Sequence, residues 1–360
     1  MLETVDIGVR CVDSYEISAG REAVERLIML AAPLQDLRVA HVSATSFGGG
    51  VAEILSSEIS LLRNLGLKAD WKIISADESF FSVTKQIHNG IQGGSHSLTR
   101  KEEETYVSVS QANAHLFDEE YDVVVVHDPQ PLALLDLGGK RSARWIWRCH
   151  IDSSQPNAGV WAFLRRYLSD YDAAVFTLPD FVPADFPGCR VEIIPPAIDP
   201  ESPKNVQLDD QRIAEVLQRT GLDLDRPCVT QVSRFDPWKD PLGVIAAYRL
   251  AKQEVPPLQL ALVGSMAHDD PEGWEIYHQL ENVCHDDPSI HLLTNLDGIG
   301  SIEVNALQRF YEFGDPKINT RGVWIGCRGN ASEGNAYRGE QNRRHPAANA
   351  RWATMFGVHD

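Results

Sequence analysis

At 360 residues, with 43% apolar residues, the chain is too long for one ordinary core and predicts two α/β domains. A net charge of −18 disfavours nucleic acid and anionic membranes as partners, so a bound anion would need a local basic pocket. Six cysteines without a CxxC pair suit a reducing compartment, and the short apolar run 27–34, broken by Pro33, predicts neither a signal peptide nor a membrane span. We therefore expect a cytoplasmic protein.

The first half of the chain alternates strands and helices after an N-terminal extension, residues 1–37, which has a helical stretch at 21–30. Apolar runs predict strands at 38–44, 68–74, 121–126, 144–150, 173–178 and 191–194. Helical periodicity predicts helices at 50–65 and 160–168. The polar segment 76–118 is expected to hold a loop plus a helix.

A second alternation follows the break after Pro200 and a polar connecting segment at 201–226. Strands are predicted at 228–232, 258–263 and 290–294, and helices at 242–251 and 273–283. Two successive βαβ series predict an α/β fold with two Rossmann-like domains that face a cleft. We place the domains at 38–222 and 223–309.

Residues 310–360 depart from this pattern. They contain no leucine but seven glycines, six arginines and five asparagines, and their apolar residues follow neither the helix nor the strand period. We expect an aberrant, poorly ordered tail here, which leaves the second domain incomplete.

A motif with two cations follows the strand at 228–232. Arg234 and Lys239 lie five residues apart in SRFDPWKDP, and Pro241 opens a helix. Cations at the carboxyl end of a strand, beside a helix N-terminus, form a good pocket for a pyrophosphate. The alternative interpretation is a surface loop with two solvated charges.

Two further sets of residues follow predicted strands of the first domain. Gly48, Gly49 and Gly50 open a helix, where glycine lets the backbone approach an anion or a sugar oxygen; a structural tight turn is the alternative. Asp128 and His150 end two strands whose carboxyl ends point into one crevice. There His150 could bond a sugar hydroxyl and Asp128 could orient an acceptor, although either could have a structural role only.

The segment His268-Asp269-Asp270 suggests a metal site only superficially, because adjacent residues rarely converge on one ion. We predict no metal site. The chain contains no GxSxG, HExxH or P-loop motif, which leaves serine hydrolases, zinc proteases and Walker-type ATPases unsupported.

Several long segments resemble the trehalose glycosyltransferring synthases, which are retaining glycosyltransferases of family four with the two-domain GT-B fold. The resemblance covers residues 38–309 and rests on HVSATSFGGGVAEI, FFSVTKQIHN, VVVVHDPQP, RWIWRCHID, TQVSRFDPWKDP, ALVGSMAHDDPEGW and EVNALQR. It implies reversible transfer of glucose from a nucleoside-diphosphate glucose to free glucose, giving α,α-trehalose with retention.

The same resemblance implies roles for the residues named above. Arg234 and Lys239 would clamp the donor diphosphate, and Gly48, Gly49 and Gly50, with His150 and Asp128, would line the sugar side. No cofactor is obligatory, Mg²⁺ is an optional addition, and a homodimer stays open. The alternatives are a truncated, inactive homologue that binds a sugar at most, or a glucosyltransferase with another acceptor such as a sugar phosphate.

The resemblance ends after Arg309, because the E-x7-E segment that binds the donor in this family is missing; Glu333 and Glu340 are one residue too close. Permitted codons for residues 310–326, read one base later, give SMSLEIQKSIREGFGL, which restores a strand and the start of that segment. We therefore hypothesise a one-base frameshift near codon 310.

Overall fold

The computed structural model describes residues 1–47, 49–118, 120–139, 142–266, 270–312 and 323–324. It divides into two compact units, Met1–Glu201 with Ala267–Pro271 and Ser202–Met266 with Glu272–Asp360. The division comes earlier in the chain than the boundary expected at residue 222. The helix Asp210–Leu217 accounts for this, because its apolar residues Ile213 and Leu217 pack into the core of the second unit.

The first unit contains a seven-stranded sheet. Its strands are β1 Glu3–Thr4, β2 Arg38–Ser43, β3 Lys68–Ile73, β4 Val123–His127, β5 Arg144–Cys149, β6 Ala173–Phe176 and β7 Arg190–Ile193. Its helices are α1 Glu16–Ala19, α2 Arg21–Ala31, α3 Gly50–Asn64, α4 Glu78–Ile91, α5 Arg100–Leu116, α6 Leu134–Gly138 and α7 Ala158–Arg165.

The second unit contains a parallel four-stranded sheet. Its strands are β8 Cys228–Val232, β9 Gln259–Gly264, β10 Ile290–Thr294 and β11 Val323–Trp324, and its helices are α8 Asp210–Leu217, α9 Pro241–Glu254, α10 Pro271–Cys284 and α11 Ser301–Glu312. The predicted tail, 310–360, lies outside the described residues except for 310–312 and 323–324.

Strand order places a reversal in each sheet. The first sheet runs β1-β3-β2-β4-β5-β6-β7 and the second runs β10-β9-β8-β11. All pairs are parallel except β1 with β3. In doubly wound sheets, ligands bind outside the carboxyl ends of the strands where the order reverses, which here means the ends of β2 and β4 and the end of β8.

Three tryptophans are among the largest fully buried side chains of the first unit. Trp145 and Trp147 occupy alternate positions of β5, Trp71 lies in β3 and packs in a separate apolar cluster, and all three are at most 2% exposed. Trp147 meets Phe176 edge to face, with ring centroids 5.7 Å apart. Aromatic side chains of this size contribute a large share of the apolar surface that folding buries.

The expectation of a loop plus a helix at 76–118 is wrong, because the segment forms two helices, α4 and α5. Local caps start both of them: Asp77 accepts a hydrogen bond from the backbone N–H of Phe80, and Thr99 forms a capping box with Glu102. Polar residues dominate α5 because most of its surface faces solvent, which hides the helical period of its few buried positions.

The N-terminal extension belongs to the first unit. Glu3 pairs with Ile73 in the antiparallel β1–β3 ladder, which gives the sheet its edge strand. Asp199 accepts hydrogen bonds from Tyr15 Oη at 3.1 Å and Ser57 Oγ at 2.7 Å, and it forms an ion pair with Arg10. In the described part of the chain, no helix is long and apolar enough to cross a membrane.

Candidate active site

The carboxyl ends of β2, β4 and β5 lie side by side at the reversal of the first sheet. Val42 pairs with Val126 and His127 pairs with Arg148, so the three strands finish at neighbouring positions. The loop that begins at Thr45, the turn at Asp128 and the residue His150 therefore emerge at one edge, as the strand pattern predicts.

The glycine loop ends where α3 begins. Gly48 lies outside the described residues, Gly49 is the extended residue before α3, and Gly50 is its first residue. A Cβ atom built at Gly49 or Gly50 would meet nothing within 4 Å. The packing of the protein itself therefore does not require glycine at these two positions. Their role toward a sugar stays a prediction.

Asp128 is held in an unusual backbone conformation, with φ at +61°. Its carboxylate Oδ1 accepts a hydrogen bond from the backbone N–H of His150 at 2.8 Å, and its carbonyl oxygen accepts one from Trp147 Nε1 at 3.0 Å. A left-handed aspartate costs free energy and is kept when the surroundings determine it, often at functional sites. One oxygen of this carboxylate is thus committed to positioning the segment that carries His150.

His150 is the end of a row of three histidines. Its Nε2 lies 3.0 Å from His127 Nδ1, and His127 Nε2 lies 3.0 Å from His41 Nδ1. We define this as the histidine row: His41 in β2, His127 at the end of β4 and His150 directly after β5. His41 is not among the residues predicted from the sequence, and His127 has no predicted role. The available signal was one histidine near the carboxyl end of each of three strands.

The histidine row is uncharged at neutral pH. Burial lowers the pKa of His150 to about 3, with a further contribution from the Arg148 guanidinium. Burial also lowers the pKa of His127 well below its ordinary value, assisted by the two neighbouring histidines. Burial also lowers the pKa of His41, and the negative charge of the Glu58 carboxylate acts in the opposite direction. His150 can therefore exchange hydrogen bonds with a ligand but is a very weak base.

Arg148 is a further cation at this edge. It is half-buried at the end of β5, and its guanidinium donates to the carbonyl oxygen of Ile194 at 2.8 Å. Burial lowers its pKa, and the carboxylates of Glu58 and Asp128 act in the opposite direction. The same charge helps to keep the histidine row neutral.

The segment that carries Arg234 and Lys239 follows β8 at the reversal of the second sheet. Ser233 still bonds to the neighbouring strand, with its N–H 3.0 Å from Val263 O, and residues Pro237–Lys239 form one turn of 3₁₀ helix. Gln231 Nε2 donates to the carbonyl oxygen of Lys239 at 2.7 Å and holds the far end of the segment. Both cations are half-buried, and each has further partners.

Buried neighbours fix the backbone between the two cations. Phe235 is 3% exposed and lies against Gly264 at the end of β9, where an added Cβ would come within 2.6 Å of the phenyl ring. Asp240 adopts φ of +46°, and its carboxylate caps α9 by accepting from Gly243 N–H at 3.0 Å. The chain thus leaves β8 and enters α9 along a constrained path that presents Arg234 and Lys239.

The expectation that the His268-Asp269-Asp270 segment after β9 holds no metal stays a prediction. His268 and Asp269 lie outside the described residues. Asp270 is buried and forms an ion pair with Lys85, with Nζ and Oδ1 3.3 Å apart. In the described ranges, no group of three His, Cys, Asp or Glu residues could hold a metal ion.

The sequence is similar to proteins of one known family. Residues 41–183 match the family model described as trehalose synthase, N-terminal domain. A trehalose synthase of Rubrobacter xylanophilus is 46% identical over 315 residues, which cover 86% of this chain and 75% of the relative. The chain belongs to the trehalose synthase family. A trehalose synthase of Pyrococcus horikoshii is 45% identical over 304 residues, covering 84% of this chain and 73% of that protein.

Solved structures identify the fold of this trehalose synthase family member. An α,α-trehalose-phosphate synthase (UDP-forming) from Burkholderia xenovorans, in complex with glucose-6-phosphate, matches with a TM-score of 0.55 and 15% identity over 76% of this chain and 77% of that one. A trehalose-6-phosphate synthase matches with a TM-score of 0.54 and 14% identity, covering 76% of each chain. The fold is thus α/β of the GT-B type. Membership of the trehalose synthase family makes the chain a trehalose-related glycosyltransferase.

Proposed function

We propose that the protein transfers a glucosyl group from a nucleoside-diphosphate glucose to free glucose, with retention, giving α,α-trehalose in a reversible reaction. The observation that carries the proposal is the 46% identity to a trehalose synthase across 86% of the chain. The GT-B fold and the constrained Arg234–Lys239 segment after β8 agree with it.

Arg234 and Lys239 are proposed to hold the donor diphosphate. Transfer breaks the bond between glucose C1 and a phosphate oxygen, so negative charge grows on the leaving diphosphate. Two fixed cations at the carboxyl end of a strand stabilise that charge, and a guanidinium can bond two phosphate oxygens at once. The overall charge of −18 makes this local pocket necessary, because the rest of the molecule repels the donor.

His150, Asp128 and the glycines Gly48, Gly49 and Gly50 are proposed to line the sugar side. The acceptor hydroxyl forms the new bond to C1 on the face that the diphosphate leaves, and its proton has to pass to another group. With a pKa of about 3, His150 is too weak a base to take that proton. We expect the leaving diphosphate to receive it, while His150 orients a sugar hydroxyl.

The test is an acceptor comparison. Protein is incubated with UDP-glucose or ADP-glucose and with glucose or glucose-6-phosphate, with Mg²⁺ or with EDTA, and the disaccharide and the nucleoside diphosphate are measured. We expect trehalose and nucleoside diphosphate in equal amounts with glucose as the acceptor, in the presence or absence of Mg²⁺. Product with glucose-6-phosphate alone would contradict the choice of acceptor.

Two alternatives are separated by the same assay. One neighbour of the same fold is described in complex with glucose-6-phosphate, which makes a sugar phosphate the second acceptor to test. An inactive homologue would yield neither product with any donor. Binding of trehalose or glucose by such a protein, measured by calorimetry, would identify a sugar-binding role.

A further inference from the structure

The histidine row contains two buried histidines for which the proposed reaction has no direct use. His41 is 4% exposed and His127 is 3% exposed, so neither can reach a substrate, and only His150 lies at the open end of the row. Buried imidazoles cost free energy unless they are hydrogen-bonded, and here they bond to each other across three neighbouring strands.

The three rings meet edge to edge. Their centroids lie 5.3 Å apart in each pair, with interplanar angles of 25° and 14°. Nearly parallel planes, with N···N distances of 3.0 Å and this centroid spacing, mean that each ring nitrogen points at the next one in the plane of both rings. These are well-aligned hydrogen bonds, in which one nitrogen has to donate and the other has to accept.

Neutral imidazole carries one proton, and this restricts the row to two proton arrangements. His127 uses both of its nitrogens, so if it donates at Nε2 it accepts at Nδ1, and the reverse. The direction of one bond therefore fixes the direction of the other. In the first arrangement all three residues carry the proton on Nε2, and in the second all three carry it on Nδ1.

The arrangement with all protons on Nε2 is favoured on two grounds. It places each ring in the tautomer that is the more stable one in free neutral histidine. It also leaves an N–H at the outer nitrogen of His41, which has the negative charge of Glu58 in its surroundings. In this arrangement His150 donates to His127 through Nε2, so its Nδ1 carries a lone pair.

We propose that His41 and His127 are positioning residues that hold His150 as the neutral Nε2–H tautomer, so that its Nδ1 accepts a hydrogen bond from a sugar hydroxyl. This inference rests on the proposed function, in which His150 faces the sugar. The row spans β2, β4 and β5, so the orientation of the His150 ring is set by the sheet and not by the loop alone. Rigid support of this kind is what an orienting group needs.

The test has one measurement that is independent of activity. With ¹⁵N-labelled histidine, the two-bond ¹⁵N–¹H correlation pattern distinguishes the Nε2–H, Nδ1–H and charged forms, and single His→Phe variants assign the signals. At pH 7 we expect neutral Nε2–H patterns for His41, His127 and His150. An Nδ1–H or charged pattern for His150 would overturn the proposal.

The kinetic measurement uses His41, which the substrate cannot touch. His41→Phe removes the acceptor at the end of the row, whereas His41→Asn keeps an oxygen at the position of Nδ1. We expect His41→Phe to lower kcat/KM for glucose by about tenfold to hundredfold with little change in the KM for the donor, and His41→Asn to recover most of the loss. The control is His291→Phe, in the half-buried His291 of β10, which should stay within about twofold of the parent.

The outcomes separate this inference from the proposed function. A folded His41→Phe variant with unchanged glucose kinetics would overturn the positioning role, even if the parent protein makes trehalose. If the parent protein makes no trehalose, the proposed function fails, and the tautomer spectrum still decides whether the row holds His150 as the Nε2–H form.

Discussion

At the scale of single residues, each unit has an aspartate with a positive φ close to its candidate site residues. Asp128, directly after β4, and Asp240, directly before α9, both adopt left-handed backbone conformations. The carboxylate of Asp128 accepts the backbone N–H of His150, and that of Asp240 accepts the backbone N–H of Gly243. Asp128 is itself predicted to meet a sugar, and Asp240 directly follows Lys239, which is predicted to meet the donor. Strain of this kind is retained where a fixed geometry is needed.

The first prediction concerns the two cations. Arg234→Met and Lys239→Met should each lower kcat by about 10²- to 10³-fold, because each removes a group that stabilises charge on the leaving diphosphate. Steady-state kinetics with varied donor concentration measure the effect. Arg249→Met, at an exposed position of α9, is the matched control and should leave kcat unchanged. If kcat fell less than threefold in both variants, the assignment of Arg234 and Lys239 to the donor site would be contradicted.

The second prediction is a pH dependence of stability. The pKa of each histidine in the row is lowered by burial from the ordinary value of 6.5, to about 3 for His150. Below pH 6.5 the unfolded chain therefore binds protons that the folded chain does not. Stability present above pH 6.5 should be lost progressively as the pH falls toward 3, measured as the urea midpoint at pH 7.5, 6.0 and 5.0.

A control isolates the contribution of the histidine row. The double variant His41→Phe/His127→Phe should show a shallower decrease in the urea midpoint, since two of the three groups no longer titrate. An increase in the urea midpoint of the parent protein as the pH is lowered from 7.5 to 5.0 would contradict the lowered pKa values. The activity of the parent protein should likewise show no inflection near pH 6.5 that arises from His150.

The candidate site residues could be named from the sequence, but the contacts between them could not. Asp128, His150, Arg234 and Lys239 could be named because each follows an apolar run, and the ends of parallel strands are recognisable. His41 could not be linked to them, because the link depends on β2 lying next to β4 and β4 next to β5. Strand order is a property of long-range packing, which the local pattern of one chain does not contain.

At the scale of elements, strands were the easiest to predict and polar helices the hardest. The buried strands β2, β5, β8 and β10 agree with the predicted runs to within one residue at either end, because apolar runs of this length leave little choice. In contrast, the pattern at 76–118 predicts one helix where the structure has two, α4 and α5. Its apolar period is weak and its start depends on a capping box.

The third prediction tests how α5 is attached to the sheet. Asn113 is 2% exposed, and its side chain bonds to both the N–H and the carbonyl oxygen of Ser75, at 2.7 and 2.8 Å, just after β3. Asn113→Ala leaves these groups without partners and should destabilise the protein by about 1–3 kcal/mol. Gln111→Ala, at an exposed position of the same helix, should change the unfolding free energy by less than about 0.5 kcal/mol. Equal unfolding midpoints for the two variants would contradict this attachment.

At the scale of the whole molecule, the similarity to trehalose synthases extends over most of the chain but not all of it. The match to the Rubrobacter xylanophilus relative leaves out 14% of this chain, since it covers 86%. The sequence pattern itself changes after Arg309, where leucine disappears and glycine, arginine and asparagine become frequent. A domain formed by one evolved core is not expected to change its composition so abruptly.

The fourth prediction follows from this change. Nucleotide sequencing across the codons of Arg309 and Phe310 should show that a single-base shift opens a frame that encodes REGFGL and a glutamate pair at the family's spacing. A gene in which no single-base change opens such a frame would contradict the frameshift hypothesis. A protein expressed from the shifted frame should bind the donor more tightly than the present chain, which calorimetry with UDP-glucose measures.

The central claim, glucosyl transfer with retention to free glucose, is tested most directly by following the anomeric signals during the reaction. Donor labelled with ¹³C at C1 of glucose is mixed with protein and unlabelled glucose, and ¹³C and ¹H spectra are recorded with time. The account predicts that the donor signal is replaced by the single α-anomeric signal of α,α-trehalose, in step with nucleoside diphosphate release. A β-anomeric disaccharide, or labelled free glucose without any disaccharide, would contradict it.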